Sequence, residues 1–457
     1  MPRLWIPTAV VLNALAITLG LAAIRPRLAI APDLLQQHAI LSQMAAAEDL
    51  GDLYGLRDRI QRDLVHLDDS TSIQTPAQAK QKTVQKTDLM TPYRALTQLR
   101  VRLSRNIEAE EAHQAIYQRA TELANQAVMA HQSPDDSLAS LQKQEFLWRG
   151  AIGKLEEIPA DSVFADEAAA KSQQYKRIVS PIAAAADRAD SAFLQPIAAA
   201  TGLGERIHIT LCQLESNECR SYQGDIPPAS PASLIKLPMA VVLMHKVTTE
   251  NIDLDSEVYI DPGNFTENAQ GAKIFVDQTY TLREVMVRMI KESNNIATNQ
   301  LVDYLGRDYI NQTLNQLGYS QTQINTKLVG DSTYPDNAGS GPNRSTTNEL
   351  TEMMRQIYSF ENPGDDEILD ALVGQYDWDF GYKALQDMGP AVHWIGEKTG
   401  QNSKVIGSSL AVKVGEQRYV MTVAIDNSAS QVHLRQVIRG VVAHLLEAGP
   451  LDSDPQR

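Results

Sequence analysis

Nine residues, Ser230-Pro231-Ala232-Ser233-Leu234-Ile235-Lys236-Leu237-Pro238, run straight into the mostly apolar stretch Met239 to Val247. No other segment constrains this chain as tightly. Two prolines flank the start of what reads as a buried helix. Ser233 and Lys236 are three apart, so a helix beginning here sets them on one face, about one turn from each other. A serine hydroxyl is a poor nucleophile at neutral pH and needs a base beside it. An amine whose pKa is lowered by burial or by a second cation can take that proton. The helix N-terminus adds unpaired backbone N–H groups and the positive end of a dipole where an oxyanion would form.

The spacing alone is not specific. Ser140-Leu141-Gln142-Lys143 repeats it in a polar helical stretch, where it reads as a solvated face. Two downstream motifs single out Ser233, first Lys291-Glu292-Ser293-Asn294-Asn295 and then Glu397-Lys398-Thr399-Gly400. Ser293 lies 60 residues after Ser233, and Lys398 lies 105 after Ser293. Ser-x-x-Lys, Ser-x-Asn and Lys-Thr-Gly in that order form the signature set of penicillin-recognising serine enzymes. From about residue 181 to 448 the chain therefore resembles the class A β-lactamase family.

The resemblance implies an α+β catalytic domain of the β-lactamase/transpeptidase type, with an antiparallel sheet flanked by helices and an all-helical lobe. It implies Ser233 as nucleophile, Lys236 as general base, and Ser293 as the shuttle that returns a proton to the leaving nitrogen. Asn295 would bind the substrate's side-chain amide, and Lys398 and Thr399 its carboxylate. Gly400 would let a strand edge come close to the ligand. The oxyanion would sit between the backbone N–H groups of Ser233 and Gln401. Substrates would be β-lactams or peptidoglycan-type peptides, handled as a β-lactamase, a D,D-peptidase or an esterase. A reading from another class is a non-catalytic binding protein on an inherited fold, with the helical region as its working part.

Two positions depart from the family pattern. Asn294 stands where aspartate is usual. The loop Val329 to Arg344, where the family carries its water-activating glutamate, contains no glutamate. Its carboxylates are Asp331 and Asp336, one methylene shorter, and these are the candidate deacylation bases. Slow deacylation is the expectation.

The net charge of −15 argues against nucleic acid as a partner, and no basic run opposes it. Nine histidines are scattered, with no His-Glu-x-x-His motif or cysteine pair at metal-ligand spacing, so neither metal nor cofactor is expected. Cys212 and Cys219 would face each other across a hairpin centred between Glu215 and Ser216. A disulfide outside the cytosol and two thiols are both open.

The 457 residues divide into four segments. Residues 1–31 contain Trp5 to Ile24, 20 residues without a charge, long enough to cross a bilayer as a helix. An uncleaved anchor is favoured over a signal peptide cleaved after Ala29-Ile30-Ala31, because Pro32 comes directly after that site. The presumed substrates place the rest of the chain outside the membrane, in the cell envelope. Residues 32–180 are expected to be all α: helix from Asp33 to about Leu67, a polar linker from Asp68 to Thr91, helix from Tyr93 to His131, then a hairpin of Leu141 to Glu157 and Ser162 to Ala184. That hairpin resembles a tetratricopeptide-type pair. The segment reads as a stalk or as a site for a protein partner. Residues 181–450 form the catalytic domain, and 451–457 a tail.

In that domain an alternating strand covers Arg206 to Leu211. Tyr280 to Tyr304 has helical periodicity interrupted at Ser293-Asn294-Asn295. Thr346 to Glu349 fits a capping box. Ser408 to Val414 and Arg418 to Ile425 are strand-like, and Val432 to Leu446 is an amphipathic helix.

Overall fold

A computed structural model describes residues 32–72, 83–131, 137–267 and 273–451. The chain divides into two compact units between Ala183 and Ala184. Among the described residues no helix is long and apolar enough to cross a membrane. The expected span Trp5 to Ile24 lies outside them, as does nearly all of the 451–457 tail.

The first unit is all helix: α1 (Pro32–Ala45), α2 (Leu50–Ser72), α3 (Thr83–His131), α4 (Leu138–Glu156) and most of α5 (Ala165–Asp190). The first half of α3 closes one core with α1 and α2, around Leu53, Ile60 and Leu103. Its second half closes another with α4 and α5, where Leu147, Ala151 and Leu155 form the buried stripe of α4. Between α3 and the α4–α5 turn, the buried Glu110 carboxylate accepts hydrogen bonds from Ser162 Oγ (2.6 Å) and Val163 N (3.3 Å). Within the polar linker expected from Asp68 to Thr91 the described residues are helical: α2 continues to Ser72 and α3 already starts at Thr83. The hairpin expected over Leu141 to Glu157 and Ser162 to Ala184 is formed by α4 and α5.

The second unit is built on one antiparallel sheet of five strands in the order β2-β1-β7-β6-β5. Its strands are β1 (Ile207–Gln213), β2 (Cys219–Tyr222), β5 (Val392–Gln401), β6 (Val405–Val414) and β7 (Gln417–Asp426). Short strands β3 (Glu257–Tyr259) and β4 (Thr279–Thr281) pair separately. The remaining helices are α6 (Leu194–Ala199), α7 (Lys236–Glu250), α8 (Leu282–Lys291), α9 (Asn295–Leu305), α10 (Arg307–Gln316), α11 (Thr347–Ser359), α12 (Asp365–Val373), α13 (Gly381–Leu385) and α14 (Gln431–Ala448).

One face of the sheet packs on α6, α13 and α14, with Ile209, Leu410, Val423, Leu434 and Ile438 wholly buried between them. The other face meets α7, α11 and the helical lobe through Leu237, Ala240, Leu243, Leu350 and Met354. Helices on both faces of an antiparallel sheet make an α+β layered domain of the β-lactamase/transpeptidase kind. Burying each of these aliphatic side chains contributes about 1.5–3 kcal/mol, so α7 is among the most strongly held elements of the unit.

Local boundaries differ from expectation in informative places. Ser233 does not lie in an α-helix but in a single 3₁₀ turn, Ala232–Ile235, with Lys236 as the first α-helical residue. Thr346 caps α11 by accepting from Glu349 N at 3.2 Å, but the Glu349 carboxylate does not return to the cap. It accepts instead from Gln321 N and Thr322 Oγ1, which ties down the preceding loop. In the β1–β2 hairpin Cys212 sits directly opposite Cys219, and the two are disulfide-bonded.

Candidate active site

Three element junctions converge on Ser233. The first is its own 3₁₀ turn, entered through Ala232 in the left-handed region at φ +43°. The second is the break between α8 and α9, where Ser293 is left-handed at φ +52°. The break has its origin in the sequence: Asn294 caps α9, its Oδ1 accepting from Ala297 N at 2.9 Å, so α8 has to stop just before it. The third is the end of β5, carrying Lys398, Thr399 and Gly400. A β-carbon on Gly400 would lie 2.9 Å from Leu234 N and 3.2 Å from Ser233 N, so glycine is what lets the strand close on the Ser233 turn.

Lys236 is the hub. Its Nζ lies 3.0 Å from Ser233 Oγ, 3.1 Å from Ser293 Oγ and 2.7 Å from Asn295 Oδ1, and it also donates to the Ser293 carbonyl. The left-handed backbone at Ser293 is what turns that carbonyl onto the amine. Asn295 is oriented from its other end, where Nδ2 donates to the Glu267 carbonyl at 3.2 Å. The Ser293 carbonyl and Asn295 Oδ1 can only accept. They therefore take two N–H bonds, and a neutral amine is left with its lone pair toward the serine hydroxyls. Burial pushes the Lys236 ammonium well below its ordinary pKa, and the charge on Lys398 adds to the effect.

Lys398 is also wholly buried, donating to Ser293 Oγ at 3.0 Å and to the Thr399 carbonyl at 2.7 Å. Desolvation lowers its pKa to about 7, against the opposing pull of Asp377 and Glu397. Glu397, on the strand beside it, faces away and accepts from Gly381 N (2.9 Å), Tyr382 N (3.2 Å) and Ser408 Oγ (2.7 Å). Burial raises its carboxyl to about 7 despite those donors. Ser233 and Ser293 are themselves half-buried. Gln401 ends β5 next to Gly400.

The two loop aspartates lie elsewhere. Asp331 is exposed, and Asp336 turns its carboxylate against Gly263 while its backbone N–H bonds the Gly263 carbonyl. No hydrogen bond joins either to Ser233 or Lys236 among the described residues. The acidic residue that does hold this loop, Glu267, carries no motif in the sequence. Its Oε1 accepts from Ser332 Oγ (2.5 Å), Ser332 N (3.3 Å) and Thr333 Oγ1 (2.9 Å). Gly330 leaves the space that Glu267 Oε2 occupies; a β-carbon there would be 1.4 Å from it. Asp377, which also acts on Lys398, carries no motif either, while strand alternation at Glu397-Lys398 places those two side chains on opposite faces. No group of His, Cys, Asp and Glu among the described residues has the arrangement of a metal site.

A model of the beta-lactamase enzyme family matches residues 191–448. A curated relative, the beta-lactamase of Bacteroides uniformis, is 28% identical over 183 residues, 38% of this chain and 60% of the relative. The chain thus spans about 60% of the length of the curated relative it matches. Among solved structures, PBP-A has a TM-score of 0.49 at 24% identity, covering 56% of this chain and 97% of its own. The beta-lactamase from Sphaerobacter thermophilus has a TM-score of 0.48 at 20% identity, covering 56% of this chain and 97% of its own.

Proposed function

We propose, on the premise that this chain belongs to the beta-lactamase enzyme family, that it is a class A-like serine hydrolase opening β-lactams or related D-Ala-D-Ala-type amides through an acyl-enzyme on Ser233. The observation that carries this reading is the 3.0 Å contact between Ser233 Oγ and the Lys236 amine, whose pKa burial lowers.

In acylation, Ser233 Oγ bonds to the substrate carbonyl carbon while its proton passes to the Lys236 lone pair. The backbone N–H groups of Ser233 and Gln401 stabilise the oxyanion. The carbon–nitrogen bond then breaks, and the leaving nitrogen receives a proton from Lys236 by way of Ser293 Oγ, which restores the neutral amine. Lys398, in its protonated form, with Thr399 holds the substrate carboxylate, and Asn295 meets its side-chain amide. Deacylation needs a water and a base beside the ester. With Asp331 and Asp336 turned elsewhere, that step is slow, which favours stable penicillin binding or D,D-peptidase-type chemistry over rapid β-lactam turnover.

The same reading sets the domain outside the cytoplasm, anchored by Trp5 to Ile24. The 20 uncharged residues of that stretch support it. So does the Cys212–Cys219 disulfide, a bond that persists in oxidising compartments. Residues 32–180 then act as a stalk or as a seat for a protein partner.

Labelling with a fluorescent penicillin tests the assignment. The unaltered protein and Ser140→Ala take one covalent label, and Ser233→Ala takes none. Label on another residue in Ser233→Ala would remove the nucleophile assignment. No label on the unaltered protein would favour the non-catalytic binding protein.

A further inference from the structure

Away from Ser233, the second half of α7 forms one wall of a cavity of about 260 Å³ closed by α11 and the start of α12. Met244, Leu317, Met353 and Ile357 make most of its lining apolar. An engineered apolar cavity of roughly 150 Å³ holds benzene, so this one has volume for a two-ring aromatic.

One charged group interrupts that lining. Asp365, at the start of α12, is only 5% exposed. Its Oδ2 accepts from Asn362 N at 2.7 Å and, at 3.5 Å, from Asn362 Nδ2. Neither donor is a cation, and the charged groups that act on it, Glu361 and Asp366, are both acidic. Burial and those neighbours raise its carboxyl pKa. Of the other polar wall groups, Tyr319 Oη donates to Gln356 Oε1 at 2.9 Å and Gln356 Nε2 to Glu352 at 2.8 Å, Thr248 and Thr249 donate to backbone carbonyls of α7, and the buried His245 Nδ1 has no hydrogen-bond partner among the described residues. A buried carboxylate without a cation is costly to hold, and an arriving cation relieves that cost.

We propose that this cavity is a binding site for a small aromatic amine, its ring between Met244, Met353 and Ile357 and its ammonium on Asp365. The site stands independently of the chemistry at Ser233.

Tryptamine is the probe and 3-ethylindole its neutral counterpart, each titrated into the full-length protein carrying ¹³C-labelled methionine methyls. Tryptamine is expected to shift the Met244 and Met353 methyl signals saturably and to bind at least about tenfold more tightly than 3-ethylindole, as a charge-assisted hydrogen bond implies. Asp365→Asn brings the two within about twofold of each other, and Ile357→Trp, which fills the cavity, removes both sets of shifts. Equal affinity of the two probes for the unaltered protein overturns the amine assignment. So does a preference for tryptamine that survives Asp365→Asn. Absence of saturable shifts up to about 10 mM, beyond the floor expected for a fragment of this size, overturns the site itself. The comparison of the two probes needs no variant, so it decides the question even where Asp365→Asn does not fold.

Discussion

Lys236 and Lys398 meet at a single atom. Ser293 Oγ lies 3.1 Å from one amine nitrogen and 3.0 Å from the other, inside a wholly buried pair of side chains. Two ammonium groups sharing one hydroxyl in a low-dielectric site repel each other, so the pair loses a proton far more readily than an isolated lysine does. The proposed chemistry needs that division of labour: Lys236 without a proton, to receive one from Ser233, and Lys398 with one, to meet a carboxylate.

Acylation by a carboxylate-bearing penicillin should therefore be bell-shaped in pH. The rising limb tracks loss of the Lys236 proton, which burial moves well below the usual lysine range. The falling limb tracks loss of the Lys398 proton, with an apparent pKa of about 7 in the free protein. Lys398→Arg keeps its charge and should move the falling limb upward by several pH units. Stopped-flow acylation rates from pH 5 to about 10 check this. A rate that climbs without falling would show that Lys398 charge is not required.

Removing the base should be costly but selective. Lys236→Ala is expected to slow acylation about 10²–10⁴-fold. The same substitution removes the amine that donates to the Ser293 carbonyl and to Asn295 Oδ1. Lys398→Ala should instead weaken capture of carboxylate-bearing substrates and spare those without the carboxylate. Acylation kinetics with a penicillin and its methyl ester separate the two. Equal losses for both substrates in Lys398→Ala would contradict the role given to it.

How much of this was legible in the sequence depends on whether a residue sits at an element boundary. Ser233, Ser293 and Lys398 could be found because a proline-flanked apolar run, a polar break in a helical pattern and a strand end each mark one. The Ser293 carbonyl could not, since its role comes from a left-handed backbone conformation that a serine does not announce in the sequence. Glu267 was invisible because its partners, Ser332 and Thr333, are 65 and 66 residues away with no periodicity linking them. The early start of α3 was missed for a related reason: a polar helix turn has no apolar stripe to announce it.

Glu267 leads to a prediction about the loop it holds. Hydrogen bonds from Ser332 and Thr333 lower its pKa to about 2, from an ordinary value of 4.5. A carboxylate depressed in the folded state contributes stability that is fully present above about 4.5 and is lost as pH falls through about 2. Glu267→Gln should therefore lower the melting temperature at pH 6, and the gap to the unaltered protein should narrow steadily between pH 4.5 and 2. Gly330→Ala should mimic the loss at pH 6, because its β-carbon would displace the carboxylate. Thermal melts across that range check both. A gap that stays constant with pH would mean that the charge of Glu267 does not hold the loop.

The last prediction concerns release of the acyl group. Acylation and deacylation ask for different proton acceptors. The first proton leaves Ser233, and Lys236 is 3.0 Å away to take it. The second leaves a water beside the ester carbonyl, and in this family's usual pattern the loop before α11 supplies that base. Here Asp336 is fastened to Gly263, and Asp331 points to solvent. Glu267 reaches the loop but is held ionised at a pKa of about 2, which makes it a poor proton acceptor at neutral pH. Missing general-base assistance should slow the step about 10²–10⁴-fold. The acyl-enzyme should therefore accumulate on mixing with excess penicillin and decay slowly, and Asp331→Asn and Asp336→Asn should leave that decay unchanged. Intact-mass spectrometry over time reads all of this. Rapid product formation with no adduct would show another base at work, and a slower decay in one aspartate variant would identify it.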